Sequence, residues 1–208
     1  MPLDKHNAPP ADEYGVFLNI PYDQGFESLY LAYIAGLIAF ALEPRATLQI
    51  PGGERRLDRI FDLIGSCRYS FHDLSRVELN LKRPATPRFN MPFELGLAVA
   101  WQRLREPTHT WCVFEARNWR AGKSLSDLSG TDVYVHDGTP TGVFRELRNA
   151  LVLTQHQPTV TQMAAIYRGL RRGLPAIRRN TGARSAFEAS VFADLIVLGK
   201  ALTAQQPK

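Results

Sequence analysis

Short apolar runs alternate along this chain with longer segments in which apolar residues recur at helical spacing. The intervening segments repeat apolar residues every three or four positions, which is typical of amphipathic or buried helices. Strands that alternate with helices predict an α/β fold, here a five-stranded, mainly parallel sheet flanked by helices with right-handed crossovers. The five runs with the length and bounding turns of buried strands are residues 14–20, 46–50, 67–72, 110–114 and 132–136.

Two further helical segments, 160–174 and 187–202, follow the last strand with no strand between them. We therefore predict three regions: a disordered lead over residues 1–13, an α/β nucleotide-binding-type domain over 14–156, and a C-terminal helical extension over 157–208. The apolar stripes of the extension have two interpretations. They cover one edge of the sheet, or they join copies of the chain into a homo-oligomer.

Composition restricts the class of protein. A chain of 208 residues that is 45% hydrophobic can bury a core, and it has no apolar run long enough to span a bilayer. The polar N-terminal segment lacks the apolar centre of a signal peptide, so we expect a cytoplasmic protein with no membrane partner. Cys67 and Cys112 do not have metal-ligand spacing, and we expect reduced core cysteines and no metal site.

The positive charge is concentrated in the C-terminal part of a chain whose formal net charge is +5. Arginines there have two interpretations, a solvated helix face or a contact with phosphates. Because no aromatic ladder accompanies them, we favour the solvated face and expect no nucleic-acid partner. The residues concerned are Arg168, Arg171, Arg172, Arg178, Arg179 and Arg184.

Polar residues follow the first three predicted strands. Tyr22 and Asp23 come after the first strand, Gly52 after the second, and Asp73 and Ser75 after the third. Ligands of open α/β sheets bind outside the carboxyl ends of the strands. These five residues are therefore candidates for one binding site.

A helix start is predicted near Pro92, with Asn90 or Met91 as the cap and the proline in the first turn. Glu94 then lies in the first turn, between bulky apolar neighbours. One interpretation of Glu94 is a capping-box glutamate that complements the helix dipole. The other is a catalytic carboxylate in an apolar pocket, kept ionised by the helix N-terminus.

The motifs HDLS at residues 72–75 and FELGLA at residues 93–98 resemble the nucleoside 2-deoxyribosyltransferase family. They are also similar to its relatives, the nucleotide N-glycosidases and the TIR domains that cleave NAD. The resemblance covers residues 14–150 and implies a flavodoxin-like or TIR-like sheet. It also implies that Glu94 attacks or stabilises the anomeric carbon and that Asp73 holds the substrate.

The resemblance thus predicts cleavage of the N-glycosidic bond of a nucleoside, a nucleotide or NAD. NAD would then be a substrate and not a cofactor, and no cofactor is expected. The deoxyribosyltransferases usually carry another carboxylate shortly before the glutamate, and residues 84–93 contain none. This departure weighs against transfer between deoxynucleosides more than against cleavage itself. We predict Glu94 and Asp73 as catalytic residues, and as substrate-binding residues Tyr22, Asp23, Gly52, Ser75 and Asn90.

Simpler roles and other classes stay open. Asp73 is equally consistent with an Asx turn, Tyr22 with core lining and Asn90 with a helix cap. A receiver-like phosphorylation module shares the fold, but only Asp23 follows the first strand, where paired acids would have to hold magnesium. A stronger alternative is a TIR-like domain that binds a nucleotide, or assembles with copies of itself, without turnover.

Overall fold

Five strands form one parallel sheet at the centre of the protein. The structure is a computed structural model that describes residues 11–49, 55–77, 79–80, 86–106, 108–118, 123, 125–128 and 130–206. The order across the sheet is β2-β1-β3-β6-β7, which is one of the two common doubly wound orders. The predicted α/β fold is confirmed. The strands are β1 (Asp12–Asn19), β2 (Glu43–Ala46), β3 (Cys67–Asp73), β4 (Leu79–Asn80), β5 (Thr86–Pro87), β6 (Thr110–Glu115) and β7 (Val133–Val135).

Helices cover both faces of this sheet. α2 and α3 pack on one face, whereas α1 packs on the other beneath α4, α5 and α6. In the described ranges, no helix combines the length and the apolar character that crossing a bilayer requires. The helices are α1 (Glu27–Ala39), α2 (Arg56–Ser66), α3 (Asn90–Leu104), α4 (Pro140–Ala150), α5 (Val160–Thr181) and α6 (Ala189–Ala204).

Helix α1 is buried on all sides. Every residue from Leu29 to Ala39 is buried, so the helix is apolar all round instead of carrying a single stripe. Gly36 makes part of this packing possible, because a Cβ atom there would collide with Leu147 of α4. The sheet and the C-terminal helices therefore enclose α1 between them.

The apolar stripes of α5 and α6 belong to the same core as β1 and α1. Met163, Ile166 and Leu170 of α5 are fully buried there, together with Phe192 and Leu195 of α6. These stripes pack on α1 over one face of the sheet, whereas the first of the two interpretations placed them over one edge. Assembly into a homo-oligomer stays a prediction.

Several element boundaries differ from those predicted. The second strand is Glu43–Ala46 instead of 46–50, because α1 ends early and Ala41 turns the chain with a φ of 59°. Pro44 is tolerated because β2 is an edge strand. The first strand begins at Asp12, inside the predicted lead, and α5 continues beyond residue 174 to Gly182, whose φ of 67° ends it.

The long connection between β3 and α3 contains a structured element. The strands β4 and β5 pair there as a short antiparallel ribbon, separate from the main sheet. The sequence predicted a lid or binding loop for this connection, and a function for it stays a prediction.

Candidate functional site

The carboxyl ends of the strands form one edge of the sheet, which we call the carboxyl edge. β1 ends there at Asn19 and β3 at Asp73. The chain leaves these two neighbouring strands in opposite directions across the sheet, towards β2 and towards β6. Doubly wound proteins bind their ligands at such a switch point, so the carboxyl edge is the candidate site.

Glu94 has a buried side chain that is only 4% exposed. Among the described residues, no group donates a hydrogen bond to its carboxylate. Burial raises its pKa to about 7, and the positive charge of Arg56 opposes that shift. Desolvation thus outweighs the charge of Arg56 and raises the pKa of Glu94, whereas from the sequence we expected the helix N-terminus to favour the ionised form.

The capping interpretation of Glu94 is also wrong. Helix α3 begins at Asn90, so Glu94 is the fifth helical residue and lies beyond the first turn. The N-cap position belongs to Phe89, whose side chain makes no capping bond. Asn90 is exposed at the first helical position, so the prediction that it or Met91 caps the helix is wrong.

Tyr22, which follows β1, and Arg56, at the start of α2, interact electrostatically with Glu94. The pKa of Tyr22 is raised chiefly by burial and further by the charge of Glu94. The Tyr22 hydroxyl donates to the Leu18 carbonyl at 3.0 Å, and Arg56 donates to Thr47 Oγ1 at 3.3 Å. The structure thus brings together an aromatic ring, a guanidinium group and a carboxyl group that has no hydrogen-bond donor in the part of the chain that the structure describes.

The ring of Tyr22 is held by other aromatic residues. It packs edge-on against Tyr30, with ring centroids 6.3 Å apart. It also packs in a tilted arrangement against Phe187, with ring centroids 6.0 Å apart. Phe187 precedes α6, so the helical extension contributes to the position of Tyr22. Core lining, the simpler interpretation of Tyr22, therefore describes part of this side chain.

Asn19 fixes the start of α3 against the sheet. Its side-chain amide donates to the Met91 carbonyl at 3.0 Å and to His72 Nδ1 at 2.9 Å. Asn19 is 4% exposed. The bond to Met91 joins the end of β1 to the first turn of α3, three residues before Glu94. From the sequence we placed Asn19 within the first predicted strand, 14–20, and assigned it no role in the site.

A chain of buried hydrogen bonds continues from Asn19 on this face of the sheet. Because Asn19 donates to His72 Nδ1, the His72 proton lies on Nε2 and points to Ser70 Oγ, 3.0 Å away. The Ser70 hydroxyl then donates to His109 Nε2 at 2.9 Å, and His109 Nδ1 donates to the Cys67 carbonyl at 3.0 Å. Burial, followed by the neighbouring His109, lowers the pKa of His72 to about 3.

Asp73 is fully buried, and protein groups occupy both of its oxygens. Its Oδ2 accepts from the Tyr33 hydroxyl at 2.8 Å and from His136 Nε2 at 2.9 Å. Its Oδ1 accepts from the Ser75 backbone N–H at 2.9 Å, which is the Asx turn of the simpler interpretation. The backbone N–H of Gly138 donates to His136 Nδ1, so the His136 ring is held on both sides.

Asp73 and Glu94 lie on opposite faces of the sheet. Successive side chains of a strand alternate between faces, so His72 points towards α3 and Asp73 towards Tyr33 of α1. The prediction that Asp73 faces one cleft with Glu94 and Tyr22 is therefore wrong. Contact of Asp73 with a substrate would require these hydrogen bonds to open, and its contacts are those of a structural residue.

The other predicted site residues have the following places. Asp23 accepts from Arg88 at 3.0 Å and lies 3.9 Å from Arg76. Ser75 is partly buried, and its hydroxyl lies 3.3 Å from His136 Nε2. Gly52 lies outside the described residues.

A cleft of about 290 Å³ opens at the carboxyl edge on the α1 side. Ser75, Arg76 and Arg117 line it, together with the start of α1. Two arginines make this cleft suitable for anionic groups. The described residues contain no cluster of histidine, cysteine and acidic side chains that fits a metal ion.

Comparison of this chain with protein-family models, with curated proteins and with solved structures finds no significant match.

Proposed function

We propose that this protein cleaves the N-glycosidic bond of a nucleoside, a nucleotide or NAD, with Glu94 as the carboxylate that acts at the anomeric carbon. The observation that carries the proposal is a buried carboxyl group with a pKa raised to about 7 and no hydrogen-bond donor among the described residues. Strongly shifted groups of this kind are concentrated at functional sites.

The chemistry needs a negative charge that is close to the sugar and shielded from water. When the C1′–N bond breaks, its electron pair leaves with the base and positive charge develops on the sugar. The Glu94 carboxylate would stabilise that charge, or form a covalent intermediate that water then hydrolyses. A low-polarity surrounding strengthens this interaction because the charge is poorly screened there.

Neighbouring residues have roles that follow from their contacts. The Tyr22 ring would contact the base, and Arg56 would bind an anionic group of the substrate or hold Glu94 in its ionised form. Asn19 would act as a positioning residue through the Met91 carbonyl. As part of this proposal, the protein is cytoplasmic and forms a homo-oligomer.

The test is release of free base from NAD and from a panel of nucleosides and nucleotides, measured by chromatography. For Glu94→Gln, we expect a rate about 10²–10³-fold lower, which is the usual loss for a well-placed electrostatic group. Glu13→Gln is the control, because Glu13 is an exposed glutamate on β1. Full activity in a folded Glu94→Gln protein contradicts the proposal.

The pH dependence of kcat/KM separates two roles of Glu94. If the ionised form acts, the rate rises as pH increases through about 7, because the carboxyl group loses its proton there. A rate that falls over the same range would assign Glu94 as an acid that protonates the leaving base. Nucleotide binding without any base release would favour the non-catalytic, TIR-like alternative.

A further inference from the structure

The positive charge of helix α5 equals the formal net charge of the whole chain. It contains five arginines and no acidic residue or lysine. The chain has 25 basic and 20 acidic residues, a formal net charge of +5. The rest of the sequence is therefore balanced, and the excess charge lies in one helix.

These arginines are not neutralised by the parts of the protein that the structure describes. None of the five forms an ion pair with a described carboxylate, although Arg178 donates to the Arg184 carbonyl at 2.6 Å. Like charges three or four residues apart on a helix destabilise it by a few tenths of a kcal/mol per pair. The neighbouring charges of Arg168 and Arg171 therefore lower the stability of the helix unless an anion binds between them.

Four of the five arginines line a groove instead of projecting from a flat surface. A cavity of about 600 Å³ lies between α5 and the starts of α1 and α4, with Arg168 and Arg171 on its wall. A second cavity of about 580 Å³ continues along α5 to Arg178 and Arg179. Arg171 and the carboxylate-bearing Glu27 line both cavities, which are therefore adjacent, and we call them together the α5 groove.

The α5 groove also meets the cleft at the carboxyl edge. Ser28 lines both the first cavity and that cleft, where Arg76 and Arg117 add two more guanidinium groups. From Arg168 to Arg179, the groove follows about 16 Å of helix. A single phosphate group would occupy only a fraction of this length.

We propose that the α5 groove binds a single-stranded nucleic acid through its phosphodiester backbone. Arginine suits this ligand because its planar guanidinium group binds phosphate in a bidentate manner and stacks on bases. The half-buried Tyr167, together with Leu31 and Phe144, gives the first cavity an apolar wall for a sugar or a base. From the sequence we favoured a solvated helix face, and the groove is the added observation that changes this view.

The test measures binding of a fluorescently labelled dT12 oligonucleotide by anisotropy over a series of salt concentrations, with an rU12 oligonucleotide beside it. We expect Arg171→Gln to weaken binding several-fold and to reduce the slope of log K against log salt by about 0.7, the contribution of one phosphate contact. Arg172→Gln is the matched control, since Arg172 is exposed on the same helix but lines neither cavity of the groove. Glu94→Gln should bind as the wild type does, so this test is independent of the proposed enzymatic activity.

Three results would overturn the proposal. The first is the absence of saturable oligonucleotide binding at low salt. The second is an equal effect of Arg171→Gln and Arg172→Gln, which would show attraction to diffuse charge without a groove. The third is tighter binding to phosphatidylserine vesicles than to either oligonucleotide, which would assign the surface to a membrane. Melting curves should agree within about 0.5 kcal/mol for the two variants, because both side chains are exposed.

Discussion

Two buried carboxyl groups lie near the same edge of the sheet, and their surroundings are opposite. Asp73, on the α1 face, accepts hydrogen bonds from Tyr33, His136 and the Ser75 backbone. Glu94, on the α3 face, has no such donor among the described residues, and its pKa is raised to about 7. Within the described ranges, hydrogen bonds thus satisfy one carboxyl group, and no donor reaches the other.

The difference separates a structural role from a functional one. Buried polar groups are normally paired, and an unpaired one lowers the stability of the fold. Asp73 follows that rule and joins α1, β3 and the end of β7. Glu94 does not follow the rule among the described residues, and its pKa is strongly raised, as is common for groups in functional sites.

The largest effect on stability is expected from Asp73→Ala. The change leaves the Tyr33 hydroxyl and the Ser75 backbone N–H without their acceptor, and His136 Nε2 keeps the Ser75 hydroxyl at 3.3 Å. We expect the free energy of unfolding to fall by about 2–5 kcal/mol. Urea unfolding measures it. Asp62→Ala is the control, because the Asp62 side chain is 67% exposed and should change stability by less than about 0.5 kcal/mol. Equal effects of the two changes would remove the structural role of Asp73.

Glu94→Gln should stabilise the protein above pH 7. The folded-state pKa of about 7 exceeds the ordinary value of 4.5, so the folded protein holds its proton more tightly than the unfolded chain. Stability therefore falls as pH rises from 4.5 to 7, by up to about 3 kcal/mol at 1.36 kcal/mol per pKa unit. Glutamine removes this loss. Thermal unfolding at pH 5 and pH 8 checks the prediction, with Glu13→Gln beside it; a Glu94→Gln protein less stable than the wild type at pH 8 contradicts it.

Asn19→Ala should have a smaller effect on stability, about 2 kcal/mol, since two buried acceptors lose their donor. If Asn19 positions α3, kcat for base release should also fall, because small displacements of a reacting group are costly. Unfolding and single-turnover kinetics on one preparation provide both values. Asn149→Ala is the control, as Asn149 is exposed and bonds only to Glu146. Loss of stability with unchanged kcat would leave Asn19 a purely structural residue.

Tyr22→Phe should have the smallest effect, about 1 kcal/mol, from the lost bond to the Leu18 carbonyl. The ring contacts with Tyr30 and Phe187 remain. If the face of the ring contacts the base, KM should change by less than about threefold. A much larger rise in KM would mean that the hydroxyl group itself binds substrate.

The sequence predicts four of the five strands of the sheet well, because each of these contains a short apolar run and the helices between the strands have a clear period. It also locates Glu94 at the carboxyl edge through the strand-end rule. The sequence could also have predicted that Asp73 and Glu94 lie on opposite faces, because successive side chains of β3 alternate and His72 and Asp73 therefore point to different sides of the sheet. The position of β2 was missed because Glu43-Pro44 is unusual in a strand and is acceptable only at an edge.

The hydrogen-bonded chain beneath α3 was not accessible from the sequence. Asn19, His72 and His109 lie on separate segments, and their contact depends on the register of β1 against β3 and on the turn before β6. No local motif encodes that register. The charge of α5 was visible in the sequence, but its groove depends on how α5 packs against α1 and α4.

That hydrogen-bonded chain has a fixed polarity, and its ends set the number of protons it can hold. The Nδ2 group of Asn19 can only donate at one end and the Cys67 carbonyl can only accept at the other, so every proton between them must point the same way. An added proton on His72 would set one donor against another. The unfolded chain accepts that proton near pH 6.5 and the folded protein only near pH 3, so each step of acidification between these values favours unfolding. The hydrogen bonds that hold the start of α3 are therefore all satisfied while His72 is neutral, and protonation of His72 in acid weakens them.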